Sequence, residues 1–153
     1  MAKSEFHAIY VPGLGDWRTY GQDDAIATWH KKGIVGHYFP LGWADKEPFQ
    51  AKLTRLLAKI DELQNQGYSV SLVGASAGAS AALNAYARRP HLHAVICIAG
   101  KINNPGSVNA SYFVKNPAFK GSLDLLPSSL AKLDPNERQR ILSIHPLYDG
   151  TVP

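Results

Sequence analysis

Apolar residues fall along this chain in two alternating rhythms. Short unbroken runs come at His7–Val11, Gly33–Phe39, Tyr68–Val73, His93–Ala99 and Ile141–His145. Each is bounded by Gly, Pro or polar residues and has the length of a buried strand. Between the second and third runs the period changes to that of a helix. Phe49, Leu53, Leu56, Leu57, Ile60 and Leu63 make one stripe, with Pro48 at its start and Gly67 just past its end. After the third run an Ala-rich segment continues to Arg88-Arg89, where Pro90 stops it. Between the first two runs, Asp16 to His30 carries Trp17, Tyr20, Ile26 and Trp29 at loosely helical spacing, which predicts a loop and then a helix. Lys101 to Gly121 shows no period and reads as a loop, either a plain connection or a cover over a substrate site. Short helical pieces are expected around 123–126 and 128–133. Asp134-Pro135-Asn136-Glu137 has the form of a capping box. Strands alternating with helices predict an α/β fold: a mostly parallel sheet with helices on both faces, three layers deep.

In such a sheet, ligand sites lie beyond the carboxyl ends of the strands. Three loops leave those ends with suggestive content. The first is Pro12-Gly13-Leu14-Gly15-Asp16. The second is Gly74-Ala75-Ser76-Ala77-Gly78, a G-x-S-x-G pattern between an apolar run and the Ala-rich segment. A serine at the apex of a tight strand-to-helix turn is held out of the sheet, and small neighbours are needed on either side of so sharp a turn. The helix behind it aims unpaired N–H groups and the positive end of its dipole at the same spot. The third loop is Pro146 to Pro153, which contains Asp149-Gly150-Thr151-Val152-Pro153.

The order of these strands and loops resembles the α/β-hydrolase family, starting at that family's third strand. Gly74–Gly78 resembles its nucleophile elbow and Asp149–Pro153 the loop that bears its acid. The resemblance implies a serine hydrolase, esterase- or lipase-like, acting on a small-molecule carboxylic ester or thioester. Ser76 would form an acyl-enzyme. The backbone N–H groups of Leu14 and Ala77 would receive the oxyanion. Asp149 would orient a catalytic histidine. In the family that histidine follows the acid, and all six histidines here (His7, His30, His37, His91, His93 and His145) precede it. The expectation is one domain over residues 1–153, truncated after the acid-bearing loop and lacking the final strand and helix. The fragment is then expected to be inactive, with its fifth strand an exposed sheet edge open to self-association. The alternatives are a non-catalytic binding module of the same fold and an acyltransferase using the same serine.

Composition changes this picture little. The 153 residues carry a formal net charge of +4, with the basic residues scattered, so no nucleic-acid partner is expected. No apolar run has the length of a membrane span, and the start of the chain does not read as a signal peptide. The lone cysteine, Cys97, lies in an apolar run and reads as a packing residue. The expected location is the cytoplasm. No His/Asp/Glu cluster has metal-ligand spacing and no glycine pattern fits a nucleotide, so neither metal nor cofactor is expected. Tyr10, Trp17, Tyr20, Trp43, Tyr112, Phe113 and Tyr148 are candidates for lining an acyl pocket or for plain packing.

Overall fold

A computed structural model describes residues 5–102 and 105–147. It contains β1 (Phe6–Val11), α1 (Gln22–Ala27) running into a 3-10 turn, β2 (Ile34–Tyr38), α2 (Phe49–Asn65), β3 (Ser69–Ala75), α3 (Ala77–Tyr86), β4 (Val95–Ile98), α4 (Ala110–Lys115), α5 (Pro117–Ala131), α6 (Pro135–Arg138) and β5 (Ile141–Ile144). The strands form one parallel sheet in the order β2-β1-β3-β4-β5. The five expected strands are all present, shifted at their ends by a residue or two.

The chain leaves β1 toward one edge to make β2, then returns past β1 to make β3 on the other side. The loops after β1 and β3 therefore diverge, and a crevice opens between them at the carboxyl ends of the strands. This places the loop after Val11 and the turn at Ser76 side by side.

The two faces of the sheet are covered unequally. On one face Ile9, Val11, Val70, Leu72, Val95 and Cys97 pack under α2, α3 and α5. Every residue of α3 is buried, and its alanines let the helix lie close on the sheet. Among the described residues the other face has only α1 and Trp29, which cover Ala8, Tyr10 and Val73. Beyond them Ile98, Leu142 and Ile144 remain 37%, 53% and 51% exposed. Helices do lie on both faces, as the alternation predicts, but the second layer stops short of β4 and β5.

The stretch expected as a loop between Lys101 and Gly121 is mostly helical. α4 is capped by the Asn109 side chain, which accepts from the Ser111 N–H at 2.9 Å. α5 begins at Pro117 and runs through the two short pieces expected after it, with Pro127 inside. Its stripe alternates apolar residues with Ser122 and Ser129, which hides the helical period. Those serines face a polar pair on α3. Ser80 Oγ lies 2.6 Å from Ser122 Oγ, Asn84 Nδ2 donates to the Ser122 carbonyl at 2.9 Å, and Ser129 Oγ donates to Asn84 Oδ1 at 2.6 Å. Each buried polar atom in this interface thus has a partner, which offsets its desolvation. The capping box at Asp134 is present in full.

Candidate active site

β3 ends at Ala75 and α3 begins at Ala77, so Ser76 alone makes the turn. Its backbone sits at φ 51°, ψ −119°, a left-handed conformation that L-residues rarely adopt. Strain of this kind costs on the order of 1–3 kcal/mol and persists only where the surroundings enforce it. They do so here through close backbone contact. A Cβ on Gly74 would stand 2.5 Å from the Gly78 carbonyl oxygen and 2.6 Å from Ala79 Cα. One on Gly78 would collide with the carbonyl oxygen of Val11. The Ser76 N–H donates to the Ile98 carbonyl at 2.9 Å, tying the turn to β4. Ser76 itself is half-buried, and its hydroxyl bonds to no described residue.

The loop after β1 lies against this serine. A Cβ on Gly13 would be 3.0 Å from Ser76 Cβ and 3.5 Å from Ser76 Oγ. So close an approach leaves little room for a residue larger than glycine. Ala77 supplies the first N–H of α3, which has no carbonyl partner within the helix. Ser76, Ala77 and the Gly13 backbone are therefore gathered at one point, at the amino end of α3.

Two residues brace that loop. The Asp16 carboxylate accepts the N–H groups of Leu41 and Gly42 at 2.7 Å each and of Trp43 at 3.2 Å. The Trp43 indole N–H donates to the Pro12 carbonyl at 3.0 Å. The segment they grip is itself held by Lys52, wholly buried, whose ammonium donates to the carbonyls of Leu41 and Gly42 at 3.0 and 2.8 Å and to Asp45 at 2.5 Å. Asp45 is accordingly held below the usual carboxylate range, chiefly by that hydrogen bond. These braces join residues some 25 to 31 positions apart, so no local pattern announces them. Their one sequence signal is an aspartate closing a Gly-rich loop.

Other candidates lie elsewhere. Asp149 and Tyr148 fall outside the described residues. No histidine reaches Ser76. His7 Nδ1 and His37 Nε2 contact each other at 2.8 Å beneath α2, His30 bonds the Ala27 carbonyl, and His145 Nε2 lies 2.8 Å from Ser143 Oγ. His91 and His93 stand at the opposite end of the strands, before β4. Trp43 is a core residue, stacked on Phe49 and edge-on to Phe119, and Tyr10 is buried under Trp29. Trp17 and Tyr20 stand out in solvent. Burial pushes the Cys97 thiol up to about 11, so it stays protonated and inert. Among the described residues no group of three or more His, Cys, Asp or Glu is placed to hold a metal, and no helix is long and apolar enough to cross a membrane.

No protein-family model matches the chain, and no curated protein matches it. Solved structures do. A structure of the metagenome-derived lipolytic enzymes LipS and LipT superposes over 98% of this chain and 75% of its own, at 13% identity and TM-score 0.69. The N-formylmaleamic acid deformylase of Pseudomonas putida superposes over 95% and 85%, at 12% identity and TM-score 0.59. MGS-MChE2, an alpha/beta hydrolase from a sediment metagenome of the Mar Chica lagoon in Morocco, superposes over 94% and 69%, at 18% identity and TM-score 0.55.

The chain has the α/β-hydrolase fold. Its strands run in the order β2-β1-β3-β4-β5, with Ser76 at the carboxyl end of the central β3. At these identities the likeness extends to the fold and no further.

Proposed function

We propose that the chain is a serine hydrolase of carboxylic esters or thioesters, with Ser76 as nucleophile. The observation that carries this reading is the strained backbone of Ser76, enforced by backbone contacts that only Gly74 and Gly78 permit. Ser76 Oγ attacks the acyl carbon, and the carbonyl oxygen becomes an oxyanion. The N–H groups of Ala77 and Leu14 receive that charge, the latter on a loop fixed in advance by Asp16 and Trp43. The alcohol or thiol leaves with a proton, and water then releases the acid from Ser76. Asp149 is assigned the orientation of an imidazole base. None of the six histidines bonds the Ser76 hydroxyl, so the polypeptide by itself is expected to acylate slowly and turn over little. A cytoplasmic location and self-association through the edge strand β5 complete the proposal.

The same missing contact favours a second reading, a non-catalytic module that keeps the elbow geometry. One experiment separates the two. The chain and its Ser76→Ala variant are incubated with p-nitrophenyl butyrate, with and without free imidazole as a substitute base. A butyryl adduct mapped to Ser76 by mass spectrometry, and an imidazole-dependent rate lost in Ser76→Ala, are expected of the hydrolase. No adduct, with identical rates for both proteins, overturns it in favour of the binding module.

A further inference from the structure

At the amino ends of the strands, opposite the elbow, lies a groove of about 680 Å³. Ser69 opens β3 and Ser76 follows its end, so the groove is roughly 23 Å from the proposed nucleophile at ~3.3 Å per strand residue. Arg140, His91, His93, Gln64 and Ser69 line it, and among the described residues no carboxylate does. The side chains of Gln64, Ser69, His91 and His93 hydrogen-bond to no described residue. The Arg140 guanidinium is set in place by Nη1, which donates to the carbonyls of Pro90 and Leu92 at 3.3 and 3.5 Å.

Three carboxylates stand near the groove without lining it. Glu5, whose carbonyl accepts the Ser69 N–H at 2.9 Å, turns its carboxylate to His7 Nε2 at 3.8 Å. The two carboxylates on the last turns of α2 are engaged elsewhere. Asp61 takes both Nε and Nη2 of Arg89, at 2.6 and 2.8 Å, and Glu62 pairs with Lys59 at 3.1 Å. The carbonyls of Leu63 and Gln64 at the end of α2 are occupied by the N–H groups of residues 66 to 68. Beside the donors stand two flat apolar surfaces. Phe6 meets the His93 ring edge-on at 5.3 Å, and Tyr68 is stacked on His7 at 4.0 Å.

We propose that this groove is a second binding site, which takes a small organic anion, a phosphate or carboxylate on a flat apolar body. Arg140 with the two imidazoles holds the anionic group by charge-assisted hydrogen bonds. Phe6 and Tyr68 flank the body. The site is independent of Ser76 and stands whatever the chemistry at the elbow.

The test is an amide NMR titration of the chain with phenyl phosphate, inorganic phosphate and phenol, in 150 mM NaCl. Saturable shifts at residues 68–70 and 91–93 are expected with phenyl phosphate, with weaker binding of each of the other two. Arg140→Gln is expected to weaken phenyl phosphate about tenfold, as loss of a charge-assisted contact does. The double variant His91→Gln/His93→Gln, in which both positions are exposed, gives the same readout should Arg140→Gln disturb the fold. Shifts scattered over surface lysines, or affinity unchanged in both variants, overturn the site. Equal affinity for inorganic phosphate overturns the part assigned to Phe6 and Tyr68.

Discussion

The two faces of this sheet are made of similar residues and have opposite fates. Leu72 points into the face under α2, α3 and α5 and is wholly buried. Ile144 points to the other face and keeps half its surface in water. The strands alone do not decide this, since apolar side chains stand on both sides of β4 and β5. What decides it is the number of helices available to each face. Apolar content predicts that a strand exists; it does not predict that both its faces are covered.

The sharpest way to break that contrast is to truncate both faces and compare. Leu72→Ala should cost about 3–4 kcal/mol in urea unfolding, the range for a buried leucine in a packed core. Ile144→Ala should cost under ~1 kcal/mol, because much less of it leaves contact. Equal losses would mean that the open face is packed in solution. Next in size is Gly78→Ala, which drives a methyl into the Val11 carbonyl where α3 crosses β1. A loss of about 2–3 kcal/mol is expected from overpacking, together with loss of any Ser76 adduct.

Ser76→Gly should act in the other direction. Glycine adopts φ 51° with little strain, so stability should rise by about 1 kcal/mol while the nucleophile disappears. A fall in stability would show that the serine is not strained. A smaller effect belongs to the edge of the packed face, where His37 stands. Burial holds its imidazole below the ordinary value near 6.5, with Lys59 and His7 acting in the same direction and Glu62 against. The folded state therefore favours neutral His37. Its contribution is complete above pH 6.5 and lost as pH falls toward the lowered folded value, because the unfolded chain takes up the proton first. The urea midpoint should drop between pH 7.5 and 5.5, and His37→Gln should flatten that drop. Smallest of all is Ile144→Lys on the open face. It should change stability by about 0.5 kcal/mol or less, yet lower any concentration-dependent sedimentation that the β5 edge supports.

How far the sequence reads depends on how local the cause is. The strands, α2 and the capping box at Asp134 follow from residues a few positions apart. The tight strand-to-helix turn at Ser76 was legible for the same reason. Gly74 and Gly78 flank Ser76 at fixed offsets, and the contacts they permit lie within that one turn and with β1. α5 was not legible as one helix. Pro127 breaks the expected pattern, and Ser122 and Ser129 read as surface residues until Ser80 and Asn84 arrive from another helix. Asp16 and Trp43 escaped for a similar reason. Their partners are far along the chain, and nothing in the spacing links an aspartate at one loop to amides at another.

The central position of β1 has a consequence for how the protein comes into being. β1 precedes both of its partners, residues 34–38 and 69–74, so its side toward β3 stays unpaired until residue 74 has been made. Parallel pairing across such separations is slow, because the intervening loop must close before any contact rewards it. The pocket around Ser76, which needs Val11, Gly13 and Gly78 together, thus cannot form before β3 has paired with β1. A nascent chain spends that interval with the run from Ala8 to Val11 open to chaperones or to aggregation.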